Sequence, residues 1–191
     1  MKEKAALIII DMQNDFVLPS APACIAGALA TVPKILLVLQ RFREKNLPVF
    51  HVVREYREDG SDIEITRLQS FLSGKRCCVP GTKGCETVED LKPAKGEYRI
   101  VKNRFSAFMN TELDYILRRL GVDSIVVCGT QYPVCVRTTV FDGVALGYNV
   151  ILVTDASSAQ TEEIAEANIT DIRNIGVQCL NTQAILEKLS S

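Results

Sequence analysis

The chain has 191 residues with 22 basic and 23 acidic side chains, a formal net charge of −1, so it carries no basic footprint for nucleic acid or an anionic membrane. No apolar run approaches the ~18 residues a bilayer span needs. The length fits one domain, residues 1–191, with a substantial core.

Residues 5–10 read as an apolar strand. The charged start before it and the acid after it, with no small-residue cleavage site, argue for a strand and against a secretory leader. A helix is predicted over 32–44, with apolar positions at Ile35, Leu36, Leu39 and Phe42, then a strand over 48–53. Residues 55–96 are irregular, first charged and then rich in Gly, Pro and Cys. They read as an excursion on the same domain, placed to cover a pocket. A short strand follows at 98–101, then a helix over 111–120 with Asn110 as its N-cap. The remaining pattern is a strand at 124–128, a helix from 134 to 146 ended by Gly147, and a strand at 150–154. A helix over 161–175 is capped by Thr161, with Glu162 and Glu163 in its first turn, and ended by Gly176. A sixth strand at 177–180 and a terminal helix close the chain. Such alternation predicts a three-layer α/β/α fold, a mainly parallel six-stranded sheet of Rossmann-like topology. Ligands then bind beyond the carboxyl ends of the strands. Asp11, Arg54, Lys102 and Gly129 all fall there.

The most telling residue is Cys135, placed where a strand hands over to a helix. Unpaired N–H groups and the helix dipole at such a junction favour a thiolate. A nucleophilic thiol needs a base. The single histidine, His51, lies inside a strand pattern, which favours a structural role and excludes a metal site built on several imidazoles. Asp11 ends the first strand on the ligand side and is suited to shuttle a proton; its bland alternative is a turn cap with Gln13 or Asn14. Lys102 ends the third strand, where a cation would stabilise both thiolate and carboxylate, unless it is an ordinary surface lysine. The seven cysteines are scattered, with only Cys77 and Cys78 adjacent, which points to a reducing, cytoplasmic setting.

Three segments, Ile8-Ile-Ile-Asp-Met-Gln-Asn-Asp-Phe16, Lys102-Asn-Arg-Phe-Ser-Ala-Phe108 and Gly129-Thr-Gln-Tyr-Pro-Val-Cys-Val-Arg-Thr-Thr139, occur together. With Asp142-Gly-Val-Ala-Leu-Gly-Tyr148 and Val153-Thr-Asp-Ala-Ser157 they resemble the isochorismatase-like cysteine hydrolase superfamily. The likeness runs from Ala5 to about Thr182. It implies a catalytic triad of Asp11, Lys102 and Cys135, a thioester-type intermediate, and cleavage of an amide, carbamoyl or ureido C–N bond in a small molecule. It also implies a cis peptide between Thr130 and Gln131, with the N–H groups of Gln131 and Cys135 forming an oxyanion hole. Related proteins commonly assemble as homodimers or homotetramers.

Family nicotinamidases bind a metal through an aspartate and several histidines after the second strand. Here that stretch is Val52-Val-Arg-Glu-Tyr-Arg-Glu-Asp-Gly-Ser-Asp-Ile-Glu64, which resembles a metal-free, nicotinamidase-related branch, so neither metal nor cofactor is expected. Arg54 has two readings: a fork for a substrate carboxylate or carbonyl, or a salt bridge to Glu55, Asp59 or Asp62. Phe16 and Tyr132 are expected to wall the pocket and Gln131 to contact substrate, with Phe105 and Phe108 as further wall candidates. Arg137 has equal claims on a neighbouring helix, a partner subunit and the substrate. The competing functional readings are a thiol redox sensor using Cys135 and a nicotinamidase-type activity without the usual metal.

Overall fold

The computed structural model describes residues 4–190; the charged start at residues 1–3 lies outside them. Six strands form one sheet: β1 (Ala5–Ile10), β2 (Val49–Arg54), β3 (Tyr98–Lys102), β4 (Ser124–Thr130), β5 (Asn149–Ser158) and β6 (Gln178–Leu180). Their order is β3-β2-β1-β4-β5-β6, and every pairing is parallel. The order reverses between β1 and β4, which opens a crevice beyond their carboxyl ends.

Burial on both faces explains the unbroken apolar runs, since all six residues of β1 and all six of β2 are buried. Ala5, Leu7 and Ile9 pack toward α2 (Ala28–Glu44) and α7 (Thr182–Ser190). Ala6, Ile8 and Ile10 face the opposite layer of α4 (Leu113–Arg119), α5 (Arg137–Ala145) and α6 (Glu162–Asn174). Period two in the strands thus sorts alternate residues into two cores. A one-turn helix, α1 (Asn14–Val17), follows β1, and α3 (Ile65–Leu72) lies in the irregular region. Phe71, Cys78, Cys85, Val88 and Leu91 of that region join the α2-side core. No described helix is long and apolar enough to cross a membrane.

Several boundaries differ from the sequence reading. Helix α2 starts at Ala28, four residues early, with Pro33 inside it; Leu29, which loses its partner to the proline, lies 47% exposed. Asn110 does not cap α4. It adopts a positive φ of 57°, and Glu112 holds the cap position without a side-chain bond. Strand β5 runs on to Ser158 because Ser157 and Ser158 pair with Gly129 and Thr130, so a polar stretch continues the sheet. Thr161 does cap α6, accepting from the Ile164 N–H.

Candidate active site

The crevice between β1 and β4 is narrowed by Gly129. A Cβ there would meet the Ile10 carbonyl oxygen at 2.2 Å, and its φ is +118°, so only glycine lets β4 approach β1 this closely. Past β1, Asp11 adopts φ 51°, a left-handed turn that aspartate tolerates better than most residues. Its N–H donates to the Val52 carbonyl at 2.8 Å. Gln13 then pins β2: its amide donates to the Arg54 carbonyl at 2.8 Å and accepts from the Arg54 N–H at 2.7 Å.

These strand ends bring the charged groups together. Lys102 Nζ donates to Asp11 Oδ2 at 2.7 Å and to the Arg104 carbonyl at 3.2 Å, and both members of the pair are buried. Cys135 sits in a wide π turn, Tyr132–Val136, that runs directly into α5. The turn is closed by the Val136 N–H donating to the Gln131 carbonyl at 3.1 Å. The peptide between Thr130 and Gln131 is cis.

Arg54 reaches Cys135 itself, its Nη2 donating to Cys135 Sγ at 3.1 Å and to the Arg104 carbonyl at 3.0 Å. Its Nη1 bonds Glu64 Oε1 at 2.8 Å and the Tyr56 hydroxyl, while Nε lies 3.8 Å from Asp11 Oδ2. The ion pair is therefore with Glu64 and Asp11. Glu55 instead pairs with Arg99, Asp59 with Arg57, and Asp62 accepts from the Arg57 N–H. With both Nη atoms committed and Nε, which makes no hydrogen bond among the described residues, facing Asp11, this guanidinium has no fork free for a substrate carboxylate.

Burial is the largest influence on Cys135 and pushes its thiol above the ordinary value; Lys102 and Arg54 pull it down, while Asp11 adds to the rise. The junction was expected to favour a thiolate. In this dry setting desolvation outweighs the cations and favours the thiol over the thiolate. Burial opposes the charge on Arg54 too, but Cys135, Asp11, Tyr56 and Glu64 together hold its pKa well above the usual arginine value. For Glu64, burial favours the neutral acid, yet the Tyr56 hydroxyl and Arg54 bring its pKa below the usual range.

A small cavity joins these groups, lined by Asp11, Phe16, Ile25, Arg67, Thr130, Gln131, Val134 and Cys135. Phe16 and Gln131 line it, as expected. Tyr132 does not: it is fully buried in the α-helical core layer, its hydroxyl donating to the Thr154 carbonyl at 2.9 Å. The cause is the π turn, which carries the residue after Gln131 into the core. Phe108 stacks on Tyr148 with centroids 5.8 Å apart, and Arg137 binds Asp171 of α6 at 2.5 Å. His51 is bound to Glu97 at 2.8 Å, and burial lowers its pKa; it makes no dyad with Cys135.

Arg67, Glu64, Tyr56 and Thr130 were not singled out from the sequence. Arg67 and Glu64 sat in a charged stretch with no periodic signal. Thr130 carried none beyond its place beside Gln131; its buried hydroxyl has no hydrogen-bond partner among the described residues.

The model of the isochorismatase domain matches residues 5–184. The chain belongs to the isochorismatase family. A family member from Arabidopsis thaliana, named a probable inactive nicotinamidase, is 44% identical over 91% of this chain and 90% of its own. The N-carbamoylsarcosine amidase of an Arthrobacter species is 27% identical over 98% of this chain and 72% of its own. The crystal structure of an isochorismatase family protein from Desulfovibrio vulgaris superposes with a TM-score of 0.94 at 53% identity, covering 98% of this chain and 99% of the other. Among the described residues no three His, Cys, Asp or Glu side chains are grouped to hold a metal ion. Arg54 and its bonds fill the space past β2, so this isochorismatase-family site does not fit a nicotinamidase-type metal.

Proposed function

We propose that the protein is a metal-independent cysteine hydrolase that cleaves an amide, carbamoyl or ureido C–N bond of a small molecule. One observation carries the reading: Cys135 lines the same small cavity as Asp11, whose carboxylate is held by Lys102 at 2.7 Å. The match to a family that includes a protein named N-carbamoylsarcosine amidase supports it.

In this reading Asp11 takes the thiol proton as Cys135 Sγ bonds to the carbonyl carbon. The Gln131 and Cys135 N–H groups receive the oxyanion, each such donor lowering the barrier by about 3–4 kcal/mol. Collapse breaks the C–N bond as Asp11 returns the proton to the leaving nitrogen. Water, deprotonated by Asp11, then attacks the thioester, and the regenerated thiolate recovers its proton from Asp11. Lys102 holds the carboxylate, and Arg54, at 3.1 Å from the sulfur, bears the negative charge that develops there. Phe16 and Gln131 bound the acyl group. A reducing, cytoplasmic setting belongs to the same reading, because Cys135 must remain a thiol. A redox-sensor role is disfavoured, since sensor thiols are acidic and accessible, whereas this one is 4% exposed with a raised pKa.

The test is ammonia release across a panel of small amides, ureides and carbamoyl compounds, with mass spectrometry of the intact protein. Wild type is expected to turn over at least one member and to acquire an acyl mass on Cys135. Cys135→Ala and Asp11→Asn should each lose on the order of 10⁴-fold or more, non-additively. Full hydrolysis by Cys135→Ala would sink the assignment.

A further inference from the structure

The cations around the nucleophile are not alike. Lys102 is spent on Asp11 and the Arg104 carbonyl. Arg54 is spent on Glu64, Tyr56, the Arg104 carbonyl and Cys135. Arg104 donates to the carbonyls of Asp62 and Asn103. Arg67 differs. It lines the catalytic cavity and is half-buried; its backbone N–H donates to the Glu64 carbonyl at 2.8 Å, but among the described residues its guanidinium has no salt bridge or hydrogen bond. Its guanidinium lies over the Phe105 ring, 4.7 Å from the centroid. Stacking fixes the plane and leaves the N–H edge available.

Arg67 and Cys135 line the same cavity, with Phe16, Ile25 and Val134 as its apolar lining. A guanidinium without an acceptor, partly desolvated and lining the cavity that holds Cys135, is built for a planar anion. Arg67 and Cys135 line one small cavity, so the anion and the scissile group belong to one small molecule. We infer that the substrate is a small carboxylic acid bearing an amide or ureido group, and that Arg67 receives its carboxylate while Cys135 attacks the carbonyl at the other end. The inference rests on the hydrolase reading above and adds the substrate class and the residue that selects it.

The experiment uses matched acid and neutral pairs: N-carbamoylglycine against its amide, and succinamic acid against succinamide. For wild type, kcat/KM should favour the acid of the better pair by on the order of 10–100-fold. Arg67→Gln should bring the ratio near one, mainly through KM, and Arg67→Lys should recover part of it. A binding arm uses the full-length Cys135→Ala protein and calorimetry. There the acids are expected to bind more tightly than the amides, and Arg67→Gln in that background should remove the difference. Equal binding of acid and amide, or a preference that survives Arg67→Gln, overturns the inference. Failure of every compound to acylate wild-type Cys135 counts against the hydrolase reading instead, and the binding arm still decides the role of Arg67.

Discussion

Two regions meet at this cavity, and they are built to different standards. Asp11, Lys102, Arg54 and Cys135 are buried, and the strand ends that hold the first three, with the turn carrying Cys135 just beyond β4, are set by parallel ladders from Ile10↔Gly129 to Arg54↔Lys102. Helix α3, which contributes Arg67, has eight residues of which only Phe71 is buried, and Ile65 is 87% exposed. The groups proposed to handle protons thus sit on the most fully buried part of the molecule, where small displacements matter most. The group proposed to select the substrate sits on its most sparsely packed helix. Of the elements around the cavity, α3 is the part with least packing to lose. Glu64, at the start of α3, joins the two regions through Arg54.

The largest effect should come from the strand-end framework. Lys102→Met leaves the buried Asp11 carboxylate without its 2.7 Å partner, and breaking such a pair costs about 3–5 kcal/mol. Chemical denaturation is expected to show that loss together with collapse of turnover; unchanged stability would mean the framework is softer than its burial implies.

The contrast between regions is next. Amide hydrogen exchange should find α3 opening several kcal/mol more readily than β1 and β4, which approach the global stability. Phe71→Ala should speed exchange throughout α3, while Ile65→Ala stays within about 0.5 kcal/mol of wild type. Exchange in α3 as slow as in β4 would remove the contrast.

The smallest effect reads the electrostatics of the nucleophile. Burial raises the Cys135 pKa while Lys102 and Arg54 lower it, so its alkylation rate should climb with pH through a midpoint above 9.0. Arg54→Gln removes a cation and should move that midpoint higher, whereas Asp11→Asn removes an opposing anion and should move it lower. Movement in the reverse directions would show that Arg54 does not act on the thiol.

Much of this was legible along the chain. Ala5–Ile10 matches β1 residue for residue, because a strand buried on both faces must be apolar throughout. The strand-then-loop positions of Asp11, Lys102 and Cys135 followed from topology, since parallel strands deliver their carboxyl ends to one side. The polar second half of β5 was not legible, because Ser157 and Ser158 gain a strand conformation only from pairing with Gly129 and Thr130. Nor was the direction of Tyr132, which depends on the π turn.

By itself the sequence determined the layered parallel fold and the end of the sheet that carries Asp11, Lys102 and Cys135, because strand and helix periodicities are written locally. Tertiary structure alone decided the state of the Cys135 thiol and the assignment of the cations. Whether a thiol rests neutral depends on how completely it is dried and which charges face it, and that is a property of packing. Which arginine stays available depends on where every carboxylate finds its partner. That pairing ties Arg54 to Glu64 and leaves Arg67 facing the cavity.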